Sequence, residues 1–356
     1  MKKYRIKKEY KHDYAGIGKK LYRKLHSSFY KICGSREKAY PFYASYRHRK
    51  VKPKTDNKEY RHYITEVPVY LAGFGHGLGG WRTGLMSAER FGLEYAYTPM
   101  VNREWETTLD LGHDLETAKE LISRGYKKVR LPYYDMNRKE SCDLIRQIIE
   151  SYRGRNVVFY NEYQQWTADG DDQKGDVRIR EMFWSSPKRK TDSLLFEADT
   201  INVAVHIRRG DVSVGLSNGD ESMRVRWLEL SYYKELIEAL SGQIFKDQKI
   251  RFYIFSEGEE EDFSELKESG AELVFCLKMG APESFLHLCY ADILLTAPSG
   301  FSMIAGAINR GVKITPEGNF LVAPREASWI RAGKNGELPG GAGECIRDLV
   351  RQEKQN

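Results

Sequence analysis

The sequence has few cysteines and no long apolar run, and both absences narrow the kinds of protein that fit. It contains five cysteines in 356 residues, and none has Cys-x-x-Cys spacing: Cys33, Cys142, Cys276, Cys289 and Cys345. An odd, scattered set favours a reducing compartment and gives no zinc-ligand pattern. No apolar run approaches the ~20 residues that span a bilayer, and no signal-peptide core begins the chain. We expect a cytoplasmic location, with any membrane contact peripheral.

The content of apolar residues is sufficient for more than one core. Hydrophobic residues make up 41% of the chain and aromatic residues 12%. A chain of this length usually divides into two domains. We predict boundaries at 61–175 and 176–335, with a basic segment at 1–60 and a peripheral tail at 336–356.

Positive charge is concentrated at the start of the chain. Residues 1–60 hold 19 Lys and Arg against 5 Asp and Glu, or +14, which leaves 38 against 45, or −7, for the rest. Such a segment is typical of attachment to an anionic membrane or an acidic glycan, or of a solvated extension. We expect no nucleic-acid partner, because no recognisable nucleic-acid-binding module accompanies the charge.

In the first half of the chain, alternating patterns predict an α/β domain. A short buried strand is expected at 67–72, followed by a glycine-dense turn at 73–80, a helix at 81–91 and a strand at 93–99. Helices are predicted at 114–124 and 141–152, and strands at 128–131 and 157–160. Residues 164–190 are interpreted as a loop-rich crossing between domains.

The second half shows a more regular alternation of strands and helices. Strands are predicted at 201–206, 250–255, 273–275, 293–296 and 312–315, and helices at 232–241, 259–269, 282–290 and 302–309. Repeated βα units predict a parallel sheet that binds ligands at the carboxyl ends of its strands. The expected fold class is therefore α/β, with two Rossmann-like domains that face each other across a cleft.

The sharpest chemical signal is the string His-Ile-Arg-Arg-Gly-Asp at residues 206–211, directly after a predicted central strand. Two arginines at a strand end are costly to bury unless an anion pairs with them. A guanidinium can grip a diphosphate bidentately and neutralise charge on a departing nucleoside diphosphate. The alternative is a structural ion pair, with Arg209 and Asp211 satisfying each other.

This string resembles the HxRRxD motif of the α1,2-, α1,6- and nodulation-type fucosyltransferases and of the protein O-fucosyltransferases. The segments at 230–233, 252–257 and 291–302 resemble the same superfamily in order and spacing, so the resemblance covers residues 178–314. It implies a GT-B-like enzyme that transfers L-fucose from GDP-fucose to a glycan hydroxyl with inversion and without a cofactor. It also implies that Arg208 binds the donor phosphate and that His206 lies beside the nucleotide, with Arg209 nearby.

The turn that opens the last predicted helix is a second candidate for phosphate binding. It contains Ser299, Gly300, Phe301 and Ser302, and the resemblance implies a phosphate contact there. Free backbone N–H groups at a helix start form an anion site, although either serine also suits a plain N-cap. In relatives, an aspartate on the preceding helix often recognises the guanine base. The nearest candidates in this sequence are Glu283 and Ser284. If Glu283 points away, the base and the donor sugar are both open.

The early glycine turn resembles the superfamily's first turn more loosely. Its Gly75, His76 and Gly77 would let a ligand approach the backbone, with His76 facing the active site, whereas the alternative is a tight turn. Candidates for a general base are Asp211, Asp220, Glu221 and His76, since inversion needs a base near the acceptor hydroxyl. Relatives without a dedicated base rely on arginine-assisted departure of the diphosphate.

No metal site is expected, because no Asp-x-Asp string lies where a metal-dependent transferase needs it; Asp171 and Asp172 fall in the polar crossing. Two other functions compete with the fucosyltransferase: a related transferase that uses another nucleotide sugar, and a non-catalytic basic protein that binds polyanions.

Overall fold

The computed structural model describes residues 59–66, 74–100, 102–131, 134–161, 174–319 and 323–355, with backbone alone at 75–77 and 174. The predicted strand at 67–72, Asp171 and Asp172, and nearly all of the basic segment lie outside these residues.

The first lobe is built on a four-stranded parallel sheet. Its strands are β1 (His62–Glu66), β2 (Glu94–Tyr95), β3 (Lys127–Leu131) and β4 (Val157–Asn161), in the spatial order β2-β1-β4-β3. The helices of this lobe are α1 (Phe74–Phe91), α2 (Arg103–Leu109), α3 (Ala118–Ser123) and α4 (Lys139–Glu150).

The second lobe holds a six-stranded parallel sheet: β5 (Ile201–His206), β6 (Ile250–Phe255), β7 (Leu273–Phe275), β8 (Ile293–Leu295), β9 (Val312–Pro316) and β10 (Trp329–Ala332). Its helices are α5 (Lys174–Ser185), α6 (Asp211–Ser217), α7 (Leu230–Glu238), α8 (Ser264–Lys267), α9 (Ala281–Tyr290), α10 (Gly300–Ile308) and α11 (Ala342–Gln355). A π-helix, Ala239–Ile244, extends α7, and short 3-10 helices occupy Pro187–Thr191, Glu221–Arg226 and Glu260–Phe263.

The strand order of the second sheet identifies its topology. The order is β10-β9-β8-β5-β6-β7, and counting from β5 this is the doubly wound order 3-2-1-4-5-6. β5 is buried along its whole length, as expected for a central strand covered by helices on both faces. The predicted fold class, α/β and GT-B-like with two Rossmann-like halves, is confirmed.

The glycine-dense segment is helical, so the predicted turn is wrong for residues 74–80. Leu78, Trp81 and Leu85 recur at helical spacing and are buried in the core, which favours continuing the helix toward its start. The glycines serve packing: a Cβ on Gly84 would lie 2.3 Å from Glu66 Oε2. Because glycine has no Cβ, α1 can lie close against the end of β1 at this position.

Three further expectations need correction. The crossing at 174–185 is helix α5, because Ile179, Met182 and Phe183 present one buried face. The tail is not peripheral, since α11 buries Ile346 and Val350 in the core of the second lobe. The acidic helix at 259–269 is a 3-10 turn followed by the four-residue α8, and strand β10 was not predicted.

One of the apolar clusters spans both lobes. Phe74, at the start of α1, stacks on Trp105 of α2 with ring centroids 3.5 Å apart, and it also meets Phe285 of α9 edge-on at 4.7 Å. An ion pair between Arg82 of α1 and Asp176 of α5, at 2.9 Å, adds a polar link. The start of α1 is thereby fixed beside helices α9 and α10.

Candidate functional site

The candidate site lies where the strand order of the second sheet reverses. β5 and β8 are neighbours there, with Val205 in register with Leu295, and their following loops diverge to opposite sides. Arg208 follows β5, and Ser299 follows β8. Arg208 Nη1 donates to Ser299 Oγ at 2.8 Å, so the fold joins residues 91 positions apart in the sequence.

Arg208 is ion-paired, but its side chain is still partly exposed to solvent. Its Nη2 donates to Asp211 Oδ2 at 2.7 Å, and the side chains are 25% and 61% exposed. The buried Nε has no hydrogen-bond partner among the described residues. An exposed carboxylate in water holds a guanidinium weakly, so an incoming anion with more charge can replace it.

Arg209 does not pair with Asp211, which corrects the structural alternative considered for this motif. Its Nη1 donates to the carbonyl oxygen of Arg208 at 3.0 Å, and its Nη2 donates to that of Leu228 at 3.0 Å. The guanidinium also lies 3.8 Å from the ring centroid of Trp227. Burial lowers the pKa of Arg209. These contacts fix the backbone that carries Arg208.

His206 offers a neutral hydrogen-bonding group beside Arg208. It ends β5, is 9% exposed, and its ring lies 5.3 Å from that of Phe301. Burial, followed by the charge of Arg208, lowers the pKa of His206 to about 3. Its Nδ1 is buried and unpartnered within the described ranges. A buried polar atom without a partner indicates a place that a ligand can satisfy.

Both serines of the α10 turn are buried inside it. Ser299 Oγ accepts from the N–H of Phe301 at 3.3 Å, as an N-cap, in addition to the bond from Arg208. Ser302 Oγ donates to the carbonyl oxygen of Ala297 at 3.3 Å and accepts from its N–H at 3.1 Å. Gly300 and Phe301 are partly exposed, whereas both serines are buried. Phosphate binding here stays a prediction.

A glutamate that sequence reasoning did not assign lies against the motif. Gly210 has φ +51°, and a Cβ at this position would lie 1.3 Å from Glu257 Oε2. The positive backbone angle of Gly210 favours glycine at this position of the motif, and the carboxylate of Glu257 occupies the space beside it. Glu257 lies two residues after the end of β6, the neighbour of β5, and that placement was the available signal.

The remaining predicted residues lie on α9 and at the 3-10 helix Glu221–Arg226. Glu283 is exposed in the first turn of α9, whereas Ser284 is buried, with Oγ 3.5 Å from the carbonyl oxygen of Met279. Asp220 caps the 3-10 turn Glu221–Arg226 through the N–H of Ser222, and Glu221 is exposed within it. None of these assignments is decided by position alone.

The early glycine residues are placed in the first turns of α1. Gly75, His76 and Gly77 are helical, and only their backbone is described. The adjacent Phe74 lies 6.0 Å from the ring of Phe301, which brings this end of α1 to the start of α10. The role of His76 stays a prediction.

Across the described ranges, no group of three or more His, Cys, Asp or Glu could hold a metal ion. In the same part of the chain, no helix is both long and apolar enough to cross a bilayer.

Comparison with known proteins gives similarity of fold. No family model matches the sequence, and no curated protein matches it. The structure of POFUT1 in complex with GDP aligns with 71% of this chain and 98% of its own, at 12% identity and a TM-score of 0.45. Fucosyltransferase NodZ from Bradyrhizobium covers 71% and 94%, at 12% identity and 0.40. E. coli heptosyltransferase WaaC with ADP covers 82% and 99%, at 14% identity and 0.40.

Proposed function

We propose that this protein is a glycosyltransferase whose Arg208 binds the diphosphate of a nucleotide sugar. One observation carries the proposal: buried nitrogens of Arg208 and His206 have no partner among the described residues, and both lie at the reversal of strand order. Crevices at such points are the usual ligand sites of doubly wound sheets.

Arg208 supplies the charge that the reaction needs. When the glycosidic bond to the diphosphate breaks, negative charge grows on the departing oxygen, and a fixed guanidinium stabilises it. Its Nε and Nη2 form one edge of the planar fork; Nη2 donates to Asp211, and Nε has no partner among the described residues. A diphosphate that takes this edge bidentately replaces a single exposed carboxylate with a stronger partner.

The finer assignment is inverting transfer of L-fucose from GDP-fucose to a glycan hydroxyl, without a metal or cofactor. Its support is the resemblance of residues 206–211 to the HxRRxD motif. Glu283 would accept the N1–H and N2–H donors of guanine. The start of α10 would contact a phosphate, and the first lobe would bind the glycan acceptor. A cytoplasmic location with peripheral membrane contact through residues 1–60 belongs to the same proposal.

The acceptor hydroxyl needs a base or must lose its proton late. Asp211 would be released from Arg208 when the diphosphate binds, and a freed carboxylate can accept a proton. Glu221 and His76 are the competing candidates. His206 remains uncharged because burial lowers its pKa to about 3, which suits a hydrogen bond to the nucleotide and not a cationic role.

Titration with GDP, UDP and dTDP tests the proposal. We expect GDP to bind well and the other two nucleotides poorly, and we expect slow hydrolysis of GDP-fucose without acceptor. Preference for UDP or dTDP would transfer the assignment to another nucleotide sugar. Salt-sensitive polyanion binding without any nucleotide binding would favour the non-catalytic basic protein instead.

A further inference from the structure

A glutamate at the carboxyl edge of the second sheet takes no part in the diphosphate site described above. Glu257 lies two residues after β6, the strand that pairs with β5 on the side away from β8. His206 is in register with Phe255, and the N–H of Ile207 donates to the carbonyl oxygen of Phe255 at 3.0 Å. The two strands therefore stay together up to the residues just before Arg208 and Glu257, which places these two residues side by side.

The carboxylate of Glu257 lies against the loop that carries Arg208. A Cβ on Gly210 would overlap Glu257 Oε2, so this oxygen occupies the space directly beside the backbone of the loop. The residue is nonetheless exposed to solvent. A ligand held by Arg208 can therefore extend to this carboxylate without any rearrangement of the core.

The side chain of Glu257 makes no hydrogen bond or ion pair in the described part of the chain. A carboxylate whose oxygens are both free can accept a proton without first being released from a cation. The acidic residues that follow the motif are each engaged: Asp211 with Arg208 at 2.7 Å, Asp220 with the N–H of Ser222 at 3.1 Å, and Glu221 with Arg224 at 3.6 Å.

Glu257 and the phosphate-binding turn lie on opposite flanks of β5. Arg208 reaches toward the β8 side, where its Nη1 donates to Ser299 Oγ at 2.8 Å, whereas Glu257 follows β6 on the other side. Neighbouring strands are about 4.8 Å apart, so β8 and β6 are separated by roughly 10 Å. An inverting displacement needs this order, because the attacking oxygen and the departing diphosphate lie on opposite sides of the anomeric carbon.

We propose that Glu257 is the general base of the sugar transfer, an inference that rests on the proposed function. Its carboxylate takes the proton of the acceptor hydroxyl while the hydroxyl oxygen forms its bond to the anomeric carbon. The bond from that carbon to the diphosphate breaks in the same step, and its electron pair leaves with the nucleotide beside Arg208. The acceptor hydroxyl is therefore bound on the β6 side of Arg208, next to Gly210.

Two nucleophiles that differ in their need for a base test this role: water and azide. The probe is GDP-fucose without a glycan, and both the released GDP and the fucosyl product are measured. Water must lose a proton as it attacks, whereas the azide anion has none to lose. We expect Glu257→Gln to lower hydrolysis about 10²-fold, while the reaction with saturating azide stays within about twofold of the wild-type rate.

A control variant and three outcomes complete the test. Glu261→Gln, which changes another exposed acidic residue after β6, should leave both reactions unchanged. An equal loss of both reactions in Glu257→Gln would mean that Glu257 only supports the loop, and this result would overturn the proposal. Unchanged hydrolysis in Glu257→Gln would overturn it as well. A wild-type protein that releases GDP with neither nucleophile would instead overturn the proposed function, and this role with it.

Discussion

In both lobes, polar side chains lie at the carboxyl ends of the parallel strands, but the hydrogen bonding of these side chains differs between the lobes. In the first lobe, Tyr134 donates to Asn161 at 3.1 Å, Asn161 donates to Ser87 at 3.1 Å, and Ser87 lies 2.7 Å from Tyr134. In the second lobe, Arg208 Nε and His206 Nδ1 are buried without a partner in the described part of the chain. A satisfied network supports packing, whereas unsatisfied groups at a crevice indicate a ligand.

Glu66 is a buried acidic residue in the first lobe. It ends β1, is buried, and both of its carboxyl oxygens lie within 3.0 Å of the hydroxyl of Tyr95. Burial raises the pKa of Glu66 to about 8, so this carboxyl is largely protonated at neutral pH. Its environment is closed by Gly84 and Tyr95 and contains no cation in the contacts described.

The largest expected effect belongs to the second lobe. Arg208→Ala should lower sugar transfer about 10²–10³-fold, because it removes the cation that stabilises the departing diphosphate. The melting temperature should change little, since Arg208 is partly exposed and Ser299 still caps α10. Arg351→Ala, which removes an exposed arginine of α11 paired with Asp348 at 3.7 Å, is the matched control. Retention of more than about a tenth of the activity would remove Arg208 from this role.

The dependence of the unfolding free energy on pH tests the buried carboxyl of Glu66 in the first lobe. The folded-state pKa of Glu66 is raised to about 8 from 4.5, so the folded protein binds the extra proton between these pH values. The contribution of Glu66 is fully present below pH 4.5 and is lost as the pH rises through about 8, on the order of 5 kcal/mol. Glu66→Gln should flatten this part of the profile, measured by urea unfolding at several pH values. An unchanged slope would mean that the carboxyl is ionised in the folded state.

Paired glycine substitutions test the packing of α1. Gly84→Ala should destabilise the protein by about 2 kcal/mol, because the new methyl group would lie 2.3 Å from Glu66 Oε2 and 2.8 Å from the ring of Tyr95. Gly80→Ala meets Glu66 Cγ at 3.7 Å and should be neutral or stabilise the helix by about 1 kcal/mol. Equal effects in thermal unfolding would argue against close packing at Gly84.

The smallest effect concerns the stacking of Arg209 on Trp227. Trp227→Ala should cost about 0.5–1 kcal/mol of stability through lost cation–π attraction, while transfer falls only severalfold. Trp227→Phe should retain much of both. A large loss of activity at full stability would instead place Trp227 against the substrate.

Sequence reasoning predicted the second lobe better than the first, for a physical reason. Strands such as Ile201–His206 and Ile250–Phe255 are β-branched or aromatic runs buried on both faces, so pattern and structure agree. Arg208 was identified because a charged pair directly after such a strand is costly without a partner.

The start of α1 in the first lobe was predicted wrongly, because its local composition favours a turn whereas its tertiary packing favours a helix. Glycines at residues 75–84 are typical of a turn, but contact with Glu66 requires small residues on a helix. The partner of Asp211 could not be predicted either, since adjacent arginines differ only in the direction that the folded loop gives them. Likewise, the contact of Glu257 with Gly210 depends on neighbouring strands and leaves no local pattern.

A crystal structure with GDP bound tests the central claim most directly. We expect the diphosphate at the start of α10, with Arg208 turned from Asp211 to a phosphate oxygen and His206 Nδ1 newly hydrogen-bonded. A nucleotide bound elsewhere, with the Arg208–Asp211 and Arg208–Ser299 contacts unchanged at 2.7 and 2.8 Å, would contradict it.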